Sequence, residues 1–538
     1  MSARAMHDAA RSPGLGPRRP AMARACLSAA LGGVAIGMGG APYEAYAIAW
    51  LGPALVVLAL RELADAHPDP RHGFRRAALV GLAAGVAANA TTCAWVVDLL
   101  TTYAYMPAPL AWVVASLLFV AQSLPFVIGA LLAWSLHRAM EDARGARASI
   151  ELATPLAMVV ASSASPMIFP WRIGNSQTGF LALAQLAELG GLPLLDLVLG
   201  AASTLAIVAI VGRAGAVLAL WLRVATALAA IALVALPAAW GARRLEQVRS
   251  GREALPPLVV GLVQHDFDIP ERADPMQWEA QLAITWSLSQ ALDREGVDVL
   301  LWPESSYPWG LGRAYPDSYP HEIGLSAQRL RAPIVLGAIT RGGDEAFNSV
   351  IGLEANRVLG VVDKTRLMPF SERIPAWDWL VFLHPFLRPG LSEGPRDGGA
   401  IDVASERLGI LNCYEDLMAD HVWRLVRSHR PTVLSNHTND AWFGRTRAPG
   451  LHHFLARMRA IETRRDLVRT VNTGVSGVIA SSGETLVRTE VFERTTLRTT
   501  LRPSNEITPW VRHGDLTTTA AWGAVLGVLA AWLRRRSS

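Results

Sequence analysis

The sequence predicts a membrane protein of eight transmembrane helices carrying one large extracytoplasmic α/β domain. Three observations predict it. Of 538 residues 51% are hydrophobic and only 18% charged, against about 25% charged in ordinary soluble domains. Apolar runs recur up to residue 240 and once more at the C-terminus, most of them near or above the ~20 residues a helix needs to cross a bilayer. Residues 256–505 instead alternate short β-type runs with helical ones, the pattern of a layered α/β domain.

In chain order, residues 1–22 are polar, contain Arg and Pro, and are expected to form a disordered cytoplasmic N-terminus. A seven-helix transmembrane domain is expected over 23–241, with apolar runs at 25–41, 44–61, 77–99, 108–136, 150–169, 190–212 and 215–240. The first run continues into another with no clear small-residue cleavage site, so it reads as a retained helix, not a signal peptide. The run 108–136 is too long for one upright span, and Pro125 is placed to kink it. A last run, 517–533, is expected to form a C-terminal transmembrane helix.

Loop charge orients these spans. Arg18, Arg19 and Arg24 precede or open the first; Arg61, Arg71, Arg75 and Arg76 separate the second and third. Arg138, Arg144 and Arg147 separate the fourth and fifth, and Arg213 the sixth and seventh. The alternate loops hold almost no arginine, Arg172 being the exception. Positive loops stay in the cytoplasm, so both termini are expected inside, with Arg534, Arg535 and Arg536 closing the last span. Residues 256–505 then lie outside. The arginines form no basic stripe with interleaved aromatics, which argues against nucleic acid as a partner.

Within 256–505, strands are expected at Leu258–Gln264, Val297–Trp302, Pro333–Ile339, Ser349–Leu353, Val358–Val362, Leu408–Asn412 and Thr432–Leu434, with more through 467–491. Helices are expected near 275–294, 321–331, 417–428 and 451–465. Catalytic groups in such domains gather where strands end. Glu304 closes the run Leu300-Leu301-Trp302-Pro303, Lys364 follows a second strand, and Cys413 follows a third just ahead of a helix.

Lys364 is the only lysine in the chain, among 50 Lys plus Arg. Where arginine is the default cation, a retained lysine marks a place that needs a compact ammonium. Cys26 and Cys93 lie in apolar runs and suit packing, leaving Cys413 as the one thiol in polar surroundings. No disulfide framework, CxxC or metal cluster is evident, and no cofactor is expected. Each residue alone has a plainer reading: a solvated Glu, a loop Lys, a small buried Cys. Together they form a nucleophilic set, with a thiol to attack an acyl carbon, a carboxylate to take its proton and an ammonium to steady the oxyanion. A helix N-terminus and a nearby cation would add thiolate character to Cys413.

The ordered Glu–Lys–Cys set resembles the nitrilase (carbon–nitrogen hydrolase) superfamily, whose fold is an αββα sandwich, and more closely its membrane-embedded branch, the apolipoprotein N-acyltransferases. Matching segments are Pro303-Glu304; Lys364 with Leu367-Met368-Pro369-Phe370 and Glu372; Cys413-Tyr414-Glu415; and Thr438-Asn439-Asp440-Ala441-Trp442-Phe443-Gly444. Ala456 to Glu462, Asn472 to Ser476 and Phe169-Pro170-Trp171 also match. The resemblance implies that Glu304 is the general base, Lys364 the oxyanion stabiliser and Cys413 the carrier of an acyl thioester. It implies that Glu372 and Glu415 orient Lys364 and the attacking group. Val362, Ser371, Arg373 and Met418 depart from the family pattern without removing a catalytic group.

The implied activity is ping-pong transfer of a fatty acyl group from a membrane phospholipid to the N-terminal amine of a diacylglyceryl-modified apolipoprotein. The protein is then expected in the bacterial inner membrane as a monomer, with its catalytic domain on the periplasmic side. A membrane-tethered amidase or nitrilase-type hydrolase is the alternative; a scaffold without chemistry fits poorly with an intact Glu304, Lys364 and Cys413.

Overall fold

In the computed structural model, which describes residues 18–66, 70–144, 149–212, 219–313, 329–355, 357–369, 371–373 and 390–537, the apolar runs form a helical domain beneath a two-sheet domain. Helix α1 spans Arg18–Met38, α2 Leu51–Ala66, α3 Pro70–Cys93 and α4 Val96–Thr102. Next come α5 (Ala108–Gln122), α6 (Leu124–Arg144), α7 (Ser149–Ala164), α8 (Ala187–Val211) and α9 (Leu220–Glu253). Residues 18–22, expected to be disordered, are instead the first turn of α1. The segment through residue 17, Arg147, Arg213, and the helix expected near 321–331 up to residue 328 lie outside the described residues.

Small side chains let these helices close on one another, as is usual where lipid supplies no hydrophobic drive. A Cβ on Gly33 of α1 would strike the Ala84 carbonyl of α3, so the two backbones touch there. Among the described residues six helical stretches are long and apolar enough to cross a membrane, or seven if α3 and α4, bent by 56°, form one broken span. The run expected at 150–169 yields only the 16 residues of α7. Proline ends it: Pro166 lacks an N–H and disfavours helix at the residue before it, and Pro170 follows. The long run 108–136 breaks at Ser123, whose Oγ donates to the Phe119 carbonyl at 2.6 Å, two residues ahead of Pro125. At 34 residues α9 is about 50 Å long at 1.5 Å per residue, well beyond a ~30 Å hydrocarbon core. Its far end is tied to the second domain, where Arg252 donates to Asp466 at 2.7 Å.

Among the described residues thirteen strands build the second domain. Sheet one has the order β13 (Thr495–Leu501), β1 (Leu258–Gln264), β2 (Val299–Leu301), β4 (Ile334–Gly342), β5 (Glu345–Glu354), β6 (Arg357–Asp363), with β3 (Tyr307–Gly312) paired to β4. Sheet two runs β12 (Thr485–Arg488), β11 (Gly477–Ile479), β10 (Leu467–Val471), β9 (Val433–Thr438), β8 (Glu406–Asn412), β7 (Gly399–Val403). Alternate apolar residues of both sheets meet in one core, with Val260, Leu301, Val335 and Val350 from the first against Ile401, Ile410, Val433 and Val468 from the second. Helix α10 (Trp278–Glu295) covers the outer face of sheet one through Trp286 and Leu292. Helices α11 (Ala419–His429) and α12 (Ala448–Thr463) cover sheet two through Val422, Leu425, Ala456 and Ala460. The result is an αββα sandwich, and β2, β6, β8 and β9 deliver the residues of interest. The chain closes with α13 (Leu516–Ser537), which packs Ala521 and Val525 into the helical core.

Candidate active site

Glu304, three residues beyond β2, is buried, and three donors converge on its carboxylate. Lys364 Nζ donates to Oε1 at 3.0 Å, Asn348 Nδ2 donates to Oε1 at 2.7 Å, and the Asn439 backbone N–H donates to Oε2 at 3.0 Å. The loop is pressed onto β4 so closely that a Cβ on Gly337 would collide with Pro303, Glu304 and Ser305 backbone. From the other sheet, His437 Nδ1 lies 2.7 Å from the Trp302 carbonyl. A carbonyl only accepts, so Nδ1 carries the proton and Nε2 accepts from Ser435 Oγ at 3.0 Å. Burial pushes the His437 imidazole down to about 4, so it is neutral and acts as a structural tie.

Lys364 stands one residue past β6 with 3% of its surface exposed. Its ammonium also donates to Glu372 Oε1 at 2.8 Å and lies 5.6 Å from the centre of the Tyr414 ring. Burial alone would lower its pKa, but Glu304 and Glu372 outweigh it and hold the amine well above its ordinary range. It is therefore a permanent cation. For Glu372, burial pushes upward, while Lys364 and the N–H of Met368, which donates at 2.8 Å, pull the carboxyl below its ordinary value.

Cys413 follows β8 directly and opens a single 3₁₀ turn, Cys413–Leu417. Its φ of +57° lies in the left-handed region, which costs a non-glycine residue about 1–2 kcal/mol. Such strain persists only where neighbours hold it; here Asn436 Nδ2 donates to the Cys413 carbonyl at 2.7 Å. The expectation of extra thiolate character is overturned. Burial raises the thiol well above its ordinary value, the Glu304 carboxylate raises it further, and Lys364 offsets only part. A five-residue 3₁₀ turn supplies too little dipole to reverse this. The resting sulfur is a thiol within the field of the Glu304 carboxylate.

Glu415 does not reach the lysine side chain. Its Oε1 accepts from the Thr365 and Arg366 N–H groups at 2.7 and 2.8 Å, and its Oε2 accepts from the Asn412 N–H at 2.8 Å. One buried carboxylate thus fastens the backbone after Lys364 to the backbone before Cys413. Asn348, on β5, was not singled out by sequence. Its amide donates to Glu304 and to Glu372, at 2.7 and 3.1 Å, its Oδ1 accepts from Asn412 at 3.0 Å, and its carbonyl accepts from the Lys364 N–H at 2.8 Å. The available signal was an amide side chain entering an apolar strand, where a buried polar group demands partners.

Residues 259–510 match the Carbon-nitrogen hydrolase family, and residues 32–205 match the Apolipoprotein N-acyltransferase N-terminal domain. The chain is 30% identical to an apolipoprotein N-acyltransferase of Geobacter metallireducens over 95% of its own length and 96% of that protein. The chain belongs to the apolipoprotein N-acyltransferase family. It is also 28% identical to a protein of that name from Chromobacterium violaceum, over 95% of this chain and 94% of that one. A nitrilase-superfamily amidase of Nesterenkonia AN1 aligns with 50% of this chain and 99% of that one, at 15% identity and a TM-score of 0.37.

The family segments meet at the junction of the two domains. Phe169 packs edge-on against Trp95 with centroids 5.0 Å apart, and Trp95 packs likewise, at 5.0 Å, against Phe443. Trp171 Nε1 donates to Asn89 Oδ1 at 3.1 Å. Phe443 is thus a packing aromatic between domains, while Trp442 is half exposed beside Tyr103. His452 and His453 lie inside α12 and are buried.

Proposed function

We propose that this chain transfers a fatty acyl group from a membrane phospholipid to the amine of an apolipoprotein's N-terminal diacylglyceryl-cysteine, through a thioester on Cys413. Family membership carries lipoprotein N-acylation and a bacterial membrane setting. The observation that supports the chemistry is the sharing of Lys364 by two carboxylates beside a protonated thiol. Oε1 of Glu304 is occupied by Lys364 and Asn348, whereas Oε2 accepts from Asn439 alone among the described residues. Oε2 therefore keeps a lone pair for the Cys413 proton. The thiolate attacks the ester carbonyl carbon, and the oxyanion forms opposite Lys364. Two of the three ammonium hydrogens are committed to Glu304 and Glu372, which leaves one for that oxygen. Collapse breaks the ester C–O bond, Glu304 returns its proton to the leaving alkoxide, and lysophospholipid departs. The acceptor amine then repeats the attack and gives its proton to Glu304, which passes it to the departing Cys413 thiolate as the amide forms, restoring the thiol and the carboxylate.

A groove of about 910 Å³ is within the roughly 300–1,000 Å³ that small-molecule sites span. It runs between Met167, Ile168 and Trp171 on the helical side and Leu367, Tyr414 and Leu417 on the catalytic side, which suits substrates arriving laterally from the bilayer. We place residues 23–241 and 517–533 in the membrane as eight crossings, α3–α4 and α7 included. Both termini are then cytoplasmic, the catalytic domain over 256–505 is periplasmic, and the protein works as a monomer. The test is mass spectrometry of lipoprotein N-termini in a strain lacking the gene. Free diacylglyceryl-cysteine amines should accumulate and be acylated again on complementation with wild type but not with Cys413→Ala. Full N-acylation without the gene would overturn the reading.

A further inference from the structure

Behind the Cys413 turn lies a buried cluster of four charged side chains that the proposed chemistry does not use. His452, on the second turn of α12, places Nε2 2.9 Å from Asp416 Oδ1 and Nδ1 3.0 Å from Asp440 Oδ1. Arg469 of β10 donates to Asp416 Oδ2 and stands 3.9 Å from Asp440 Oδ2. Asp440 is held against Gly474, where any Cβ would run into its Oδ2. All four side chains are at most 5% exposed.

The two aspartates belong to the two turns that frame the site. Asp416 lies in the 3₁₀ turn that Cys413 opens. Asp440 follows Asn439, whose N–H donates to Glu304 at 3.0 Å. With both ring nitrogens facing carboxylates, only the doubly protonated imidazolium satisfies both contacts. Two carboxylates, one guanidinium and one imidazolium then sum to zero. A further buried cation, Arg459, also acts on Asp416 but is itself paired with Glu462 at 3.0 Å; His453 is kept neutral by burial and by Arg469, and Phe443 offers a ring edge. The small slot that His452 lines toward the membrane adds only Cys93 and Tyr414 as titratable groups.

We propose that His452 is a positioning residue for thiol activation: its imidazolium completes, with Arg469, the neutralisation of the Asp416–Asp440 pair and pins the Cys413 turn to the turn whose amide holds Glu304. The inference rests on Cys413 and Glu304 being nucleophile and base. Burial and Arg469 work against protonation of His452, and the two carboxylates more than restore it. The Asp440 carboxylate is itself among the charges that push the Cys413 thiol upward, so stripping its counter-charge should make the thiol harder to ionise.

The experiment is iodoacetamide alkylation of Cys413 in the purified full-length protein, followed by peptide mass spectrometry from about pH 7 to about pH 10. His452→Gln keeps a polar side chain but leaves the cluster one negative charge in excess. It should raise the apparent thiol pKa by about one unit and slow alkylation near neutral pH about tenfold. Adding Asp440→Asn restores the neutral sum and should bring alkylation back to within about threefold of wild type. In acyl transfer, His452→Gln should lower kcat with KM for the acceptor unchanged, and the double variant should recover. Should His452→Gln fail to accumulate, Asp440→Asn alone should speed alkylation. Wild-type alkylation by His452→Gln, or slower alkylation on adding Asp440→Asn, would overturn the proposal. Retained transfer by Cys413→Ala would instead remove the underlying assignment while leaving the alkylation series intact.

Discussion

Replacing Lys364 by Arg keeps the charge and changes only its shape, so it isolates what the ammonium does. Lys364 is 3% exposed, and a bulkier guanidinium must displace its neighbours, at about 1–3 kcal/mol of stability. The larger effect falls on the reaction. In the wild type, Glu304 and Glu372 take one hydrogen each at 3.0 and 2.8 Å, and the tetrahedral ammonium aims its third elsewhere. A planar guanidinium that satisfies both carboxylates keeps its remaining N–H groups in that same plane. Losing one aimed oxyanion donor costs about 10²–10³ in rate, or about 3–4 kcal/mol on the barrier. The assay is transfer from phospholipid to a synthetic diacylglyceryl-cysteine peptide in detergent, read by mass spectrometry and normalised to folded protein. Lys364→Met, with no charge, sets the floor. Lys364→Arg should fall at least about a hundredfold in kcat. Turnover within about threefold of wild type would show that any cation suffices there, and the oxyanion role would fail.

Glu304→Gln should move two readouts in opposite directions. Removing the carboxylate that raises the Cys413 thiol should speed alkylation near neutral pH, while loss of the general base should cut acyl transfer by about 10²–10⁴. Slower alkylation in that variant would contradict the charge argument. Glu415→Gln replaces a carboxylate that accepts three backbone N–H groups with an amide that offers one oxygen, costing about 1–3 kcal/mol. Its thermal midpoint should drop by several degrees; an unchanged midpoint would mean that the clamp is dispensable. A reporter active only outside the cytoplasm should work when fused after residue 250 and fail when fused after residue 145. The reverse pattern would place the catalytic domain inside.

Much of the site was legible because its residues sit where strands end. Glu304, Lys364 and Cys413 come from three strands on two sheets, and chemistry, not proximity in sequence, grouped them. What stayed hidden was the scaffolding. Asn348 sits on a strand next to Phe347, and nothing in the sequence shows that its carbonyl receives the Lys364 N–H just past the Ser349–Asp363 pair of β5 and β6 while its amide reaches Glu304. The donor from Asn439 is a backbone N–H, which no side-chain pattern announces. The sign of the Cys413 shift depended on burial, which a motif does not reveal. Strand β13, Thr-Thr-Leu-Arg-Thr-Thr-Leu, is a mostly polar edge strand and lacks the apolar run that signals a central one. β3 contains Pro308 and Gly310, which argue against a strand until its edge position is known. Hydropathy likewise overcounted the helix at 150–169, because apolar residues continue past Ala164 where Pro166 has already ended it.

The measurement that tests the central claim most directly is the site of the covalent intermediate. Incubating the wild-type protein with phospholipid and no acceptor should leave one fatty acyl group on the peptide containing Cys413. Hydroxylamine should remove it, as should chase with a diacylglyceryl-cysteine peptide, with matching gain of N-acylated product. Acyl mass on Cys26 or Cys93, or transfer proceeding while Cys413 stays unmodified, would contradict the account.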